Sequence, residues 1–178
     1  MTSFVSDLLS TLAHAMSVGG GLIFLVAGIE KFRHREIVPG IVANYRVLPP
    51  AAVQPMAAVL PPVECLLGLL LLLQFSALAA VVGAVLLLTF AAAMAVNIRR
   101  GRDHIHCGCG RPDLAQHLRW SLVIRNTILA AGLALFPFAS TPLGPVELTS
   151  AAFGGIALFI ANRLFETIGV LATQSRIR

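Results

Sequence analysis

Residues 65–98 read CLLGLLLLLQFSALAAVVGAVLLLTFAAAMAVNI, a run of 34 residues without a charged side chain. One membrane-spanning helix needs about 20 apolar residues, so this run is too long for one span and suits two. We place a tight turn between them at its polar point, Gln74-Phe75-Ser76. Apolar residues follow one another continuously here, whereas strands of a membrane β-barrel alternate apolar and polar residues. The run therefore predicts two transmembrane helices, over residues 52–73 and 77–99.

Three further spans are predicted on either side of this pair, two of them around uncharged stretches of 22 and 21 residues. They cover residues 8–32, residues 118–138, and a segment that starts near Val146 and ends between Arg163 and Ala172. The whole chain is 57% hydrophobic and 12% charged, about half the charged share of a soluble domain. Length allows one domain. We therefore predict an all-α membrane protein, a single-domain bundle of about five transmembrane helices over residues 1–178.

The 13 Lys and Arg residues are distributed unevenly between the predicted loops. Four lie between the first and second spans, five between the third and fourth, and three at the carboxyl end. The amino terminus and the other two loops carry none. Because cytoplasmic loops retain positive charge, we expect the amino end outside and the carboxyl end inside. No Lys or Arg precedes the first apolar stretch, so we expect a permanent span and not a cleaved signal peptide.

The sequence pI of about 10.1 reflects the same basic residues. A strongly basic protein often binds nucleic acid. Here membrane topology and the attraction of anionic lipid headgroups account for the charge. We therefore expect the lipid bilayer as a partner and no nucleic acid.

The loop between the third and fourth spans carries the candidate catalytic residues, Cys107 and Cys109, with Gly108 between them. The Cα atoms of residues i and i+2 lie about 5.5–7 Å apart, which overlaps the range that a disulfide bridges. A ring this small is strained, and strained disulfides are easily reduced. Nearby Arg and His side chains favour the thiolate. We interpret the pair as a site of thiol–disulfide exchange, which needs no cofactor.

Two other interpretations of this loop stay open. His104, His106, Cys107 and Cys109, together with His117, are soft ligands for zinc or copper, although their spacing matches no standard zinc motif. Alternatively, the loop is a solvated turn with two incidental cysteines. The low cysteine count of the chain, three in 178 residues, argues against incidental adjacency.

Ionisable residues inside the predicted spans are costly in lipid, which makes them candidates for function. Glu64 lies about 18 Å along the second span and Arg125 about 10 Å along the fourth, at 1.5 Å per residue. We predict that these two side chains pair in a polar cavity in the inner half of the membrane. Asn97 and Asn126 are expected close by. Lys31 either joins this cluster or anchors the end of the first span at the interface, and we favour the anchor.

Cys65 follows Glu64 directly in the second span. A lone cysteine in an apolar helix is usually a small core residue, and that interpretation is the stronger one. As a third redox residue, Cys65 would form a mixed disulfide with Cys107 or Cys109.

Several motifs are spread along nearly the whole chain. They are Gly28-x-x-Lys31, Tyr45-x-x-Leu48-Pro49, Pro62-x-Glu64-x-x-x-Gly68, Asn97-x-x-Arg100-Gly101, Cys107-Gly108-Cys109-Gly110 and Arg125-Asn126. This set resembles the MauE family of methylamine-utilisation membrane proteins, in the wider DoxX-like group. The resemblance implies a DoxX-like four-helix core plus one helix in the bacterial inner membrane. It also implies an accessory role in maturing the disulfide-rich periplasmic small subunit of methylamine dehydrogenase, alongside a thioredoxin-like partner, MauD.

Three functions follow from these observations. The favoured one is a thiol–disulfide oxidoreductase or electron conductor. A cytoplasmic pair cannot oxidise a periplasmic client directly, but it can take electrons from cytosolic thioredoxin and pass them across through Cys65. The second is a non-catalytic scaffold for a thioredoxin-like partner, and the third is a DoxX-like subunit of a quinone-linked redox complex. A homo-oligomer is compatible with each.

Overall fold

The computed structural model describes residues 2–108, 117–139 and 144–174, which are helical almost throughout. The helices are α1 (Thr2–Arg33), α2 (Val38–Asn44), α3 (Pro50–Leu72), α4 (Ala77–Arg99), α5 (Trp120–Leu133) and α6 (Pro145–Gln174), with a 3₁₀ turn at Phe136–Phe138. In these described ranges, five segments are long and apolar enough to cross a membrane, the fourth of them combining α5 with the 3₁₀ turn. The predicted all-α bundle of five apolar helices is confirmed.

The turn predicted between the two central spans is present. Gln74 has a φ of +52°, a left-handed conformation that ends α3. The Ser76 hydroxyl accepts a hydrogen bond from the Ala79 amide at 3.3 Å and so caps the start of α4. The predicted range 77–99 is the observed range of α4.

Other helices differ from the prediction at their ends; α1, for example, begins at Thr2, six residues before the predicted start. The short helix α2 was not predicted, because seven residues with one buried side chain carry little periodic signal. α5 ends at Leu133, five residues early, and Pro137 in the following 3₁₀ turn cannot donate a helical hydrogen bond. α6 continues to Gln174, past the predicted end.

Large apolar side chains cover the outside of the bundle. Leu78, Ile128 and Phe153 are 70%, 62% and 73% exposed, on three different helices. A soluble monomer rarely exposes apolar patches on this scale, whereas lipid accommodates them. The chain is therefore a multi-pass membrane protein.

α1 packs against both α3 and α6, and α4 packs against α5. At Gly68, the backbones of α1 and α3 approach so closely that no side chain fits between them. A Cβ atom on Gly68 would lie 2.6 Å from the Leu25 amide nitrogen and 2.8 Å from the Gly21 carbonyl oxygen. Glycine permits such backbone approach between membrane helices. The Ser17 hydroxyl adds a hydrogen bond of 2.9 Å to the Leu71 carbonyl across the same contact.

One face of α1 also approaches α6 through glycine. A Cβ atom on Gly155 would lie 2.9 Å from the Ala15 carbonyl oxygen, and one on Gly19 would lie 3.0 Å from the Gly155 carbonyl oxygen. α1 thus has neighbours on two sides. The buried core between α1, α3, α4 and α5 comprises Phe24, Leu67, Leu71, Ala79, Ala80, Ala84, Leu87, Leu129, Ala130 and Leu133.

Candidate functional site

The loop after α4 is fixed to the bundle by Arg102. Its guanidinium donates to the Asn97 side-chain oxygen at 3.1 Å and to the Asn44 carbonyl at 2.6 Å. Gly101, with a φ of +70°, provides the change of direction at the end of α4. Asn97 was predicted beside a Glu64–Arg125 pair, but its fully buried side chain instead positions Arg102. The interaction connects the ends of α2 and α4.

Cys107 lies in this loop and is 6% exposed. It belongs to a second apolar cluster, with Met94, Ile105, Leu118 and Leu122. The Tyr45 hydroxyl, from the segment after α2, donates to the Cys107 carbonyl oxygen at 2.7 Å. The backbone of the first cysteine is therefore held in place by a different part of the chain.

Gly108 follows with a φ of +68°, a conformation that side chains rarely adopt. A Cβ atom there would lie 2.8 Å from Cγ2 of Ile41 in α2. Both the turn and the contact require glycine. Cys109, the second cysteine of the predicted pair, lies outside the described residues.

Histidines of the predicted metal site lie near Cys107. His106 and His117 form a short antiparallel bridge, and their rings stack with centroids 5.8 Å apart. Nδ1 of His117 hydrogen-bonds the His104 carbonyl at 2.7 Å. Within residues 2–108, 117–139 and 144–174, no three His, Cys, Asp or Glu side chains group as metal ligands do. The metal interpretation depends on Cys109, which that range leaves out.

Glu64 does not pair with Arg125, and the prediction of that pair is wrong. The Lys31 ammonium donates to both Glu64 carboxylate oxygens, at 3.0 and 2.8 Å. Both side chains are buried, and Glu64 is only 1% exposed. The favoured expectation that Lys31 anchors the helix end at the interface is therefore also wrong. Lys31 belongs with the buried polar residues, as the alternative expectation had it.

Glu64 pairs with Lys31 because of the antiparallel register of α1 and α3. A Cβ atom on Gly28 would lie 2.6 Å from Cys65 Sγ, and Gly68 faces Leu25. With Gly28 against Cys65, Lys31 three residues later meets Glu64. The glycines visible in the sequence were the signal for this register.

Cys65 is half-buried at this contact, with its Sγ 4.0 Å from the Leu25 carbonyl oxygen. Cys65 lies against Gly28 of α1. Cys107 instead packs in the second apolar cluster, of which Cys65 is not a member.

Arg125 pairs with Glu166 of α6, at 3.0 Å. Glu166 also accepts from Arg163 at 2.9 Å. The Asn126 side-chain oxygen accepts from Arg125 Nε and Nη2 at 3.3 and 3.1 Å, whereas it was predicted close to a Glu64–Arg125 pair that does not form. Asn162 donates to Glu166 at 3.3 Å. We call these five residues the Glu166 cluster.

Sequence reasoning did not find Glu166 as a site residue. An acidic residue within a helix of spanning length was the signal that indicated it. The ionisable residues thus form two separate groups, the Lys31–Glu64 pair and the Glu166 cluster, instead of the single polar cavity that was predicted.

Comparisons with known proteins cover most of the chain. The model of the family "Methylamine utilisation protein MauE" matches residues 9–139. The methylamine utilization protein MauE of Paracoccus denitrificans is 43% identical over 163 residues, 90% of this chain and 87% of that protein. The MauE proteins of Methylophilus methylotrophus and Methylorubrum extorquens are 37% and 38% identical, over 80% and 74% of this chain and 74% and 69% of their own lengths. No solved structure matches the chain.

Proposed function

The chain belongs to the family of methylamine utilisation protein MauE, and we propose that it acts in methylamine utilisation as a thiol–disulfide exchange protein of the bacterial inner membrane. Cys107 and Cys109 are its exchanging thiols. Its partner is a thioredoxin-like protein of the MauD kind. Its client is a disulfide-rich periplasmic protein such as the small subunit of methylamine dehydrogenase.

The observation that carries this proposal is the placement of Cys107. Its carbonyl is held by the Tyr45 hydroxyl, and Arg102 holds the start of the same loop. The positive φ of Gly108 provides the turn that two cysteines one residue apart need. A thiol held at a defined position, next to a turn that glycine provides, suits exchange with a partner better than an unattached loop does.

The exchange is a balanced two-electron reaction. A thiolate of the partner attacks one sulfur of a Cys107–Cys109 disulfide, forms a mixed disulfide and displaces the other sulfur as a thiolate. The second partner thiolate then attacks the mixed disulfide, which leaves the partner oxidised and Cys107 and Cys109 reduced. With the loop in the cytoplasm, as the loop charges predict, the pair receives electrons from a cytosolic thioredoxin-like dithiol.

Cys107→Ser and Cys109→Ser are each expected to lower client maturation to the level of a strain that lacks the protein. The measurement is the yield of correctly disulfide-bonded client in that strain after complementation. One of the two variants should also accumulate a mixed disulfide that a reductant releases, which identifies the partner. His106→Ala is the matched control in the same loop, because it removes a candidate metal ligand and leaves both thiols.

Normal maturation in both serine variants would contradict exchange and favour a non-catalytic scaffold. Loss of activity in His106→Ala as well, with metal in the purified protein, would favour a metal site. Cys65→Ser tests the relay across the membrane: full activity in that variant excludes Cys65 from the exchange.

The orientation of the chain in the membrane can be tested separately. In a cysteine-free background, Arg35→Cys should react with a membrane-impermeant thiol reagent only after the cytoplasmic side is opened. Phe75→Cys, in the turn between α3 and α4, should react from the periplasm, since that residue is 75% exposed. The two positions are controls for each other. The reverse pattern would place Cys107 and Cys109 in the periplasm and contradict electron import from the cytosol.

A further inference from the structure

Building on the proposed function, we infer that the two thiols of the pair have different roles: the partner exchanges with Cys109, and Cys107 is the buried resolving thiol. A resolving thiol does not meet the partner and only makes or breaks the disulfide within the pair. The apolar cluster around Cys107 enforces this difference, because it closes one sulfur of the pair to a protein-sized reactant. Packing therefore sets the order of the two thiols, since the motif itself is symmetrical about Gly108.

The first observation is the enclosure of Cys107. The residue is only 6% exposed, and its apolar cluster also contains Met94, Ile105, Leu118 and Leu122. Met94 of α4 and Leu122 of α5 are both 0% exposed. The cluster thus joins two transmembrane helices to the loop between them. A partner protein that attacked the Cys107 sulfur would first have to separate these side chains.

The second observation is the alternation of side chains along the loop. His104 and His106 are exposed. Ile105 and Cys107, which alternate with them, are buried. Successive side chains of an extended segment point to opposite faces, so Cys107 belongs to the inward face of the loop. An antiparallel bridge at His106 pairs this segment with the residues before α5, and the alternation ends at Gly108, whose φ is +68°.

Hydrogen bonds to the loop backbone keep Cys107 in the cluster. The Tyr45 hydroxyl donates to the Cys107 carbonyl at 2.7 Å, and the Tyr45 side chain packs against the cluster. The Leu118 amide donates to the carbonyls of Asp103 and Ile105, at 2.9 and 3.2 Å. Contacts from two other parts of the chain thus hold this loop inward. Reaching the Cys107 sulfur requires that the loop open locally, which costs free energy.

Exchange in this order is balanced. A partner thiolate attacks the Cys109 sulfur, the Cys107–Cys109 bond breaks, and its electron pair stays on the Cys107 sulfur, which takes a proton from solvent. The second partner thiolate attacks the partner's own sulfur in the mixed disulfide, and Cys109 leaves as a thiolate. The partner has then lost two electrons and the pair has gained two. When the reduced pair passes them to a protein disulfide, Cys109 attacks that disulfide and Cys107 then attacks the Cys109 sulfur.

The apolar surroundings of Cys107 also oppose this order in one respect. They disfavour a thiolate, which makes Cys107 a poor leaving group. Proton uptake removes the charge, whereas nothing compensates a partner protein for the side chains that exclude it. Access therefore outweighs the quality of the leaving group.

The test measures how fast each thiol exchanges with a disulfide carried by a protein. The probe is a thioredoxin with a single active-site cysteine that carries 2-nitro-5-thiobenzoate, so each exchange releases a coloured thiolate. Two variants of the full chain in micelles, Cys65→Ser/Cys107→Ala and Cys65→Ser/Cys109→Ala, each keep one thiol. The variant that keeps Cys109 should react at least about tenfold faster, because reaction at Cys107 requires local opening. In denaturing detergent the two should react equally fast, which controls for intrinsic reactivity.

Leu122→Ala tests whether the apolar cluster causes the difference. Leu122 is 0% exposed, and its truncation leaves a cavity that loosens the cluster. Added to the variant that keeps Cys107, it should raise the exchange rate at least about threefold. Leu129→Ala is the matched control, because it truncates a buried leucine of the same helix that belongs to the other apolar core. It should leave the rate unchanged.

In the strain used for the maturation assay, Cys107→Ser should be the variant that accumulates the mixed disulfide, and Cys109→Ser should not. Equal rates in the folded protein, faster exchange at Cys107, or an unchanged rate in Leu122→Ala would overturn the inference. Each of these results leaves the proposed function intact, because the pair still exchanges. Failure of both thiols to exchange in the folded protein would overturn the inference and the proposed function together.

Discussion

Lys31→Met is expected to destabilise the protein by about 3–5 kcal/mol, the usual cost of removing one partner from a buried ion pair. The cause is the Glu64 carboxylate, which is 1% exposed and loses both of its hydrogen bonds to Lys31. The measurement is the free energy of unfolding in mixed micelles. Arg33→Met is the matched control, because that side chain is exposed at the end of the same helix.

The double variant Lys31→Met/Glu64→Met should recover most of this loss. Replacing both partners of a buried pair with apolar side chains of similar volume is often neutral or stabilising. Wild-type stability in the single variant would show that the pair contributes little. A double variant that folds but does not support maturation would assign the pair a functional role in addition to its structural one.

Gly68→Val is expected to prevent stable packing of α1 on α3. Even the Cβ atom of alanine would lie 2.6 and 2.8 Å from backbone atoms of Leu25 and Gly21, which cannot rotate away. Overpacking of a close contact costs about 1–3 kcal/mol, so we expect Gly68→Ala to lose that much and Gly68→Val to lose more. Thermal unfolding and the yield of monodisperse protein measure the effect.

Gly40→Ala is the matched control for Gly68. It adds the same methyl group on α2, where no atom lies within 4 Å of the new Cβ. It should leave stability unchanged or slightly raised. Because the α1–α3 register also brings Lys31 to Glu64, the effects of Gly68→Ala and Lys31→Met should not be additive. Additive effects would contradict that coupling.

The spans could be predicted from the sequence, whereas the partners of the polar residues could not. Hydropathy identifies which segments enter lipid, and it placed α4 and the turn at Gln74 correctly. The predicted Glu64–Arg125 pair relied on depth along each helix. Depth does not determine the direction in which a side chain points around the helix axis. That direction follows from the glycine contacts that set the α1–α3 register.

In the loop after α4, likewise, the motif could be predicted from the sequence and its contacts could not. The Cys107-Gly108-Cys109 motif is visible in the sequence, and Gly108 indeed adopts a positive φ. The hydrogen bond from Tyr45 to Cys107 joins residues 62 positions apart, and no local pattern indicates it. Arg102 was counted as a loop charge that sets orientation, but it also connects α2 to α4.

The position of α1 between α3 and α6 has a consequence for biosynthesis. Membrane proteins are synthesised from the amino end, so α6 leaves the ribosome after α1 to α5. Until then the Gly19 side of α1 lacks its α6 contacts, although α3 already covers the side that faces Gly68. α6 therefore completes the packing around α1, and a chain truncated before Pro145 should be a target for membrane quality-control proteases.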